Sequence, residues 1–543
     1  MLKLSTQRIE VPAGGQASVT LTIDANGKAP GDYVGTITAT SGDTVIRTLA
    51  GAYVEPESYN ATITVIGKQG EPVDPRSAEI YDATTGAIVE PAFKDGVATV
   101  RLAKGDWNLS THIVERSGVT VADSPLRVDD SDLHLTVDAR QGKAAMTTLD
   151  DPSAELPNWF EFGLAHGAWN SFGLWGGVDI TNRFFVIPVR QPGLTYTLRT
   201  LWLSKDVSPS PYVYDLVDRR TGGFPDDPTY NARQQDLAKV STTYRASGVA
   251  ATGTPLAALH IPGASLMSLV GDIPLPGTLI QYRTPGVTYE SGLQVGTSMT
   301  FDGGTLMKRG QTSEVWNAAV TGPSFLLPGG SRTGDTLTFS AFGLFADAGA
   351  GRTGSDAAAT GTATLAKDGK VLATADIANC EVDQTEECEF HADLPAGSGA
   401  YTLTASMRRQ VPYSTLSTGV ESVWKFRSAT TAKEQPLPLT AVRYSPAGLD
   451  ESNRAKPGST TRLPLWIERN PGSAEAEATS VRLEMSVDDG ANWRRIAVVP
   501  TASGWTAMVP NPRTAGFVSL RAVVTDTSGT GLTQTITRAY AVG

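Results

Sequence analysis

The chain has 543 residues, more than one hydrophobic core can serve, so several domains of ~100–200 residues each are expected. Hydrophobic residues make up 40% and charged residues 19%, with 55 Gly and 33 Pro, a balance that excludes disorder and collagen-like repeats. With 45 Lys+Arg against 56 Asp+Glu the net charge is −11 and no basic run offsets it, which argues against nucleic acid and anionic membrane as partners.

Period-two alternation begins at once. SVTLTID places Val19, Leu21 and Ile23 on one face, and GDYVGTITAT repeats the pattern after a Pro-Gly turn, so residues 1–56 read as a small sandwich of paired strands. The proline in VEPES breaks the pattern. Residues 57–142 then read as a second sandwich, with strands at ATITVIG, AEIYDAT, VATVRL, WNLSTHIV and LHLTVDA and turns at KQGEP, TTGA, KDGV and KGDW.

Residues 143–435 form the largest region and hold most of the aromatic residues, including WNSFGLWGG and RFFVIPVRQPGLTYTLRTLWL. Within it Thr229 to Ala246 carries a patchy helical stripe of Tyr230, Leu237 and Val240 and reads as one short helix or an ordered loop. Strands return from LAALHI to Trp424. The Pro-rich KEQPLPLT marks a linker near residue 436, and residues 436–543 read as a last sandwich. The fold class is all-β, an array of unlike β-sandwich modules.

The segment GTSMTFDGG bears on function, because subtilisin-like peptidases carry their nucleophile in G-T-S-M-A-x-P. Here the parity of Leu293, Val295, Met299 and Phe301 against Gln294, Ser298, Thr300 and Asp302 predicts a strand, with Ser298 facing away from the core. Thr300, Phe301, Asp302 and two glycines stand where the small residue and proline belong. The nearest likeness to the histidine motif, His166-Gly167-Ala168-Trp169-Asn170, breaks it immediately. No catalytic residue is assigned, and Ser298 reads as an exposed strand serine.

Other constellations are structural in this reading. Ser486, Asp488, Gly490 and Trp493 fit the Asp-box pattern S-x-D-x-G-x-x-W: Asp488 accepts backbone N–H bonds, Gly490 supplies a positive φ, and Trp493 anchors the hairpin to the core. A sugar-processing propeller would need several copies, and there is one. Cys380 and Cys388 bracket the acidic loop EVDQTEE and suit a hairpin-closing disulfide, the alternative being two free thiols. His112, His134, His166, His260 and His391 are scattered without a zinc spacing, so no metal or cofactor site is assigned. Acidic turns at Asp129-Asp130-Ser131-Asp132 and Asp150-Asp151 leave Ca²⁺ as the one cofactor with suitable oxygens, against a reading as solvated turns. The rings between Trp159 and Trp202, with Tyr212 and Tyr214, are core or a platform for carbohydrate.

The succession VPAGGQASVTLTID, GDYVGTITAT and VEPESYNATITVIGKQG resembles the sandwich that follows the peptidase domain in large secreted bacterial subtilases. VRLAKGDWNLST, LTVDARQGK, DPTYNARQQDLAKVSTTYRA, VWNAAVTGPSF, RTGDTLTF and TQTITRAYAVG are similar to the non-catalytic C-terminal region of the same proteins. The resemblance implies a fibronectin type III-like module over 1–56 and a transthyretin- or carboxypeptidase-regulatory-like module over 57–142. It further implies a large β domain with a jelly-roll-like second half over 143–435, and an Ig-like sandwich over 436–543. The expected role is accessory to a secreted, extracellular serine endopeptidase, with an upstream peptidase domain or a protein substrate as partner. A stand-alone extracellular protein binding carbohydrate or a cell surface is the alternative. The N-terminus has no apolar signal segment, so the chain is either cytoplasmic or a fragment, and the cysteine pair favours a fragment.

Overall fold

Alternating β-branched and polar residues become strand almost throughout. A computed structural model describes residues 2–156, 159–176, 183–262, 268–381 and 386–543. Helix among them is limited to 3-10 turns at Ala139–Gln141, Gln234–Asp236, Phe342–Phe345 and Glu386–Cys388, and no helix is long and apolar enough to cross a membrane. The protein is an all-β array of sandwich modules.

Residues 2–56 form two two-stranded ladders. Leu2–Leu4 pairs with Leu21–Ile23, and Gly31–Ser41 pairs with Thr44–Val54 through a turn in which Gly42 has φ +57. Among the described residues none before Ala61 is buried. Val34, Leu49 and Tyr53 share one face of the long hairpin and stand open to solvent at 75%, 78% and 64% exposure.

The next unit has two sheets. Ser58–Ile66 lies between Val97–Ala103 and Leu133–Asp138, facing a sheet built on Ser77–Tyr81, Gly105–Glu115 and Gly118–Val128. Ile63, Val65, Ile80, Leu109, Leu126 and Val137 fill the space between them. In the second sheet Asn108–Ile113 and Gly118–Asp123 are buried without interruption. The reason is a third layer: Trp159–His166 and Val189–Ser204 cover the far face, packing Phe160, Phe162, Tyr196 and Leu198 on Val119, Val121 and Tyr81. Positions that would otherwise face water therefore carry buried Ser110, His112 and Asp123. Phe184–Val186 extends the same sheet beside Gly118–Val128, so residue 142 does not end a sheet.

An eight-stranded and a seven-stranded sheet follow. Thr229 to Ala246 holds no α-helix: it is strand Tyr230–Ala232, the single 3-10 turn Gln234–Asp236 and strand Ala238–Tyr244. Ala238, Val240, Thr242 and Tyr244 are its buried face, a period-two pattern that the polar Thr242 disguises.

The last two regions share one core. Gly419–Ser428 pairs antiparallel with Gly531–Val542 inside a nine-stranded sheet, and a single cluster runs from Ala319 to Val542. KEQPLPLT is no free linker. Thr431–Pro436 is an edge strand on Gly330–Gly334, where prolines are tolerated, and Leu437 and Leu439 after it are fully buried.

Candidate functional site

The GTSM segment forms the turn of a hairpin rather than one continuous strand. Val295 pairs with Ser298, leaving Gly296 at φ +60 and Thr297 as the two-residue turn between Thr288–Val295 and Ser298–Asp302. A Cβ on Gly296 would lie 2.2 Å from the Tyr413 ring, so only glycine fits under that ring. Ser298 is half-buried, and its hydroxyl donates to the Ser355 carbonyl at 3.2 Å. Thr297 Oγ1 and Tyr413 Oη both donate to the buried Asp356, at 2.8 and 2.9 Å. Arg409 Nη1 pairs with the same carboxylate at 2.7 Å. A serine that donates to a peptide carbonyl beside a carboxylate neutralised by arginine has no base to activate it. Among the described residues its hydrogen-bond partners include no imidazole: His166 meets Tyr81 and Gln191, His260 pairs with Glu290, and His391 with Glu389.

The Asp-box turn is built as its residue types require. Ser486 Oγ donates to Asp488 Oδ1 at 2.6 Å and accepts from the Gly490 N–H at 2.9 Å, while Asp488 also accepts from the Asn492 N–H at 2.9 Å. These bonds hold the Asp488 carboxyl down to about 2. Gly490 has φ +95. Trp493 does not anchor the hairpin to the core: it is half-buried against Gly490 and lies under the Arg521 guanidinium, 4.3 Å from its ring centre. Cys380 and Cys388 are joined in a disulfide with Cα atoms 4.9 Å apart, closing a loop whose residues 382–385 lie outside the described residues. A disulfide belongs in an oxidising, extracellular type of compartment.

The aromatic stretch is mostly core. Phe160, Phe162, Trp169, Phe184, Tyr196 and Tyr214 are buried, and Tyr81 stacks on Trp169 at 3.7 Å. Trp202 and Tyr212 are half-buried, and the side chains of Trp159 and Trp175 lie outside the described residues. The acidic turns are occupied internally: Asp132 accepts from Asn60, Asp129 pairs with Arg127, Asp150 accepts from Gln234, and Asp151 from Tyr214. Among the described residues no group of three or more acidic, histidine or cysteine side chains could hold a metal ion.

A concave apolar site lies elsewhere. Phe301, Phe325, Phe339, Phe342 and Trp424 line a cavity of about 190 Å³ under the loop Pro323–Gly329, with Leu327 at its lip, 45% exposed. Trp424 donates its indole N–H to the Thr440 carbonyl at 2.7 Å and offers the cavity only carbon. The loop is held from the C-terminal sandwich. Arg443 Nη1 donates to the carbonyls of Gly322 and Pro323 at 3.0 and 2.8 Å, Asn470 Oδ1 accepts from the Gly329 N–H at 2.8 Å, and Glu468 accepts from Phe325 at 3.3 Å. Burial pushes the Arg443 guanidinium below its ordinary value, opposed by Glu468. Thr353 is among the lining residues, and its hydroxyl, closed off from the cavity, is buried without a hydrogen-bond partner.

No family model matches the chain. No curated protein matches it either. Among solved structures it is similar to the Bacillus anthracis TIE protein, at 9% identity over 58% of this chain and 65% of that one, with a TM-score of 0.13. BcpA, the major pilin subunit of Bacillus cereus, is similar at 7% identity over 48% of this chain and 98% of its own, with a TM-score of 0.13. The FN1-FN3 domains of chicken CNTN1 are similar at 11% identity over 63% and 94%, with a TM-score of 0.12. The chain spans about 65% of the TIE protein's length. Scores this low say nothing about function, and the fold class rests on the strands themselves.

The cavity escapes sequence reasoning because its walls come from segments up to about 120 residues apart. The one local signal is GPSFLLPGG, where three consecutive apolar residues, Phe325 to Leu327, sit between prolines in a segment too short for a strand of its own.

Proposed function

We propose that this chain is a non-catalytic accessory region of a secreted subtilisin-like serine endopeptidase, one that stabilises, spaces or presents substrate to a peptidase domain outside these 543 residues. The observation that carries the reading is the setting of Ser298. Its hydroxyl is committed to the Ser355 carbonyl, and the neighbouring Asp356 is consumed by Arg409, Thr297 and Tyr413. The segment that resembles an active site therefore works as a hairpin clamp. Sheets that continue across residues 142 and 436 support a stiff spacer, since a hinge there would have to break strand pairing.

The test is the size and chemistry of the native protein. An antibody against residues 436–543, used on culture medium of the source organism, is expected to detect a cell-free species well above 57.2 kDa that a fluorophosphonate probe labels. A secreted species of 57.2 kDa with no labelled partner contradicts the proposal and favours the stand-alone binding protein.

A further inference from the structure

We propose that Asn26 is a site of spontaneous covalent modification, where the side-chain amide condenses with the backbone nitrogen of Gly27 and ends as aspartate or isoaspartate. The proposal goes beyond the accessory role and stands without it. The chemistry needs a carboxamide one residue before a backbone N–H that is free to attack it. Asn26-Gly27 is the one Asn-Gly step in the chain, and every other asparagine precedes a residue whose own side chain crowds the attacking nitrogen.

The fold leaves this step open. Both residues are exposed, in the connection between Leu21–Ile23 and Gly31–Ser41. The hydrogen bonds of the turn use other atoms: the Asn26 N–H donates to Asp24 Oδ1 at 3.1 Å and the Lys28 N–H to the Ala25 carbonyl at 3.2 Å. Among the described residues the Asn26 side chain and the Gly27 N–H have no hydrogen-bond partner. Ring closure must also rotate the backbone. None of the described residues before Ala61 is buried, so no core resists that movement.

Comparable steps are held shut. Asp95-Gly96 and Asp489-Gly490 commit the glycine N–H, to Asp74 Oδ1 at 2.7 Å and to Ser486 Oγ at 2.9 Å, and a carboxylate is a poorer electrophile than a carboxamide. Asn170-Ser171, where the following side chain is small, lies inside strand Trp169–Gly176, whose pairing with Trp159–His166 fixes the backbone.

Hydroxide removes the Gly27 N–H proton, the nitrogen bonds to Asn26 Cγ, and the bond from Cγ to the side-chain nitrogen breaks. That nitrogen takes a proton from water and leaves as ammonia. Water then opens the five-membered imide at either carbonyl, giving aspartate or isoaspartate, and no atom is oxidised or reduced. Either product takes the net charge of −11 one unit further negative. Isoaspartate also lengthens the connection into Gly31–Ser41 by one methylene.

Peptide mass mapping of the full chain, kept folded and sampled over weeks, reads the proposal directly. The peptide holding Asn26 is expected to convert at least fivefold faster than any other asparagine peptide, and faster at pH 8 than at pH 6. Its rate is expected within fivefold of that in the urea-unfolded chain. Endoproteinase Asp-N cuts at aspartate and not at isoaspartate, and both products are expected. A Cβ on Gly27 meets no atom within 4 Å, so Gly27→Ala leaves the packing alone and is expected to slow conversion at least fivefold, folded or unfolded. Conversion of Asn26 less than fivefold faster than the others, or more than fivefold slower folded than unfolded, overturns the proposal. So does aspartate as the sole product, a rate no higher at pH 8 than at pH 6, or slowing of less than fivefold in Gly27→Ala.

Discussion

Gln534 serves as a strand partner for Val442: its Nε2 donates to the Val442 carbonyl at 2.7 Å and its Oε1 accepts from the Val442 N–H at 2.9 Å. Both residues are buried, Gln534 at 0% and Val442 at 1% exposure, and they stand in different sheets of the C-terminal sandwich. A side-chain amide thus carries peptide-like pairing through the core that also holds the ring cavity.

Gln534→Leu keeps the bulk and strands both backbone groups. The expected cost is about 2–6 kcal/mol, from two buried polar groups losing partners at about 1–3 kcal/mol each. Chemical denaturation of the two proteins measures it. A loss within about 0.5 kcal/mol, typical of a surface change, contradicts the pairing.

Asp123 and His112 act on stability with opposite signs. Burial pushes the Asp123 carboxyl up to about 7 against hydrogen bonds from Tyr81 and Gln191. Between its ordinary value and 7 the fold therefore holds a proton that the unfolded chain has released, and that contribution is full at low pH and lost as pH rises through 7. Burial pushes His112 down to about 4, so its contribution is present above the ordinary histidine value and lost as pH falls to 4. Asp123→Asn removes the first effect only. The stability of the variant relative to the native chain is expected to climb between pH 5 and pH 8, and a flat difference over that range contradicts the assignment.

The disulfide joining Cys380 and Cys388 closes a short loop, with a sequence separation of 8. Loop-closure entropy for that length gives about 2–3 kcal/mol. Reduction, or Cys380→Ala with Cys388→Ala, is expected to lower stability by about that amount without unfolding the sheet core. Two free thiols in the intact mass of protein made in an oxidising compartment contradict the bond.

What the sequence reveals is set by the range of the interactions. Period-two alternation is local, so the strands and the all-β class are legible from SVTLTID onward. The segment Ala238–Tyr244 misleads because Leu237 and Val240 are spaced as on a helix, while Thr242, a polar residue, takes a buried position. KEQPLPLT reads as a linker because prolines break interior strands, and only the sheet order reveals an edge. The break at Gly296 depends on Tyr413, more than a hundred residues later. Uninterrupted burial of Asn108–Ile113 depends on a third layer contributed by the next region. Asp488 and its turn are legible because every partner lies within four residues.

The most direct measurement on the central claim is fluorophosphonate labelling of the purified 543-residue chain, read by peptide mass mapping, alongside a casein hydrolysis assay. The account predicts no label on Ser298 and no hydrolysis, because its hydroxyl donates to the Ser355 carbonyl and, among the described residues, no imidazole is hydrogen-bonded to it. Labelled Ser298, with casein hydrolysis that disappears in Ser298→Ala, would contradict it.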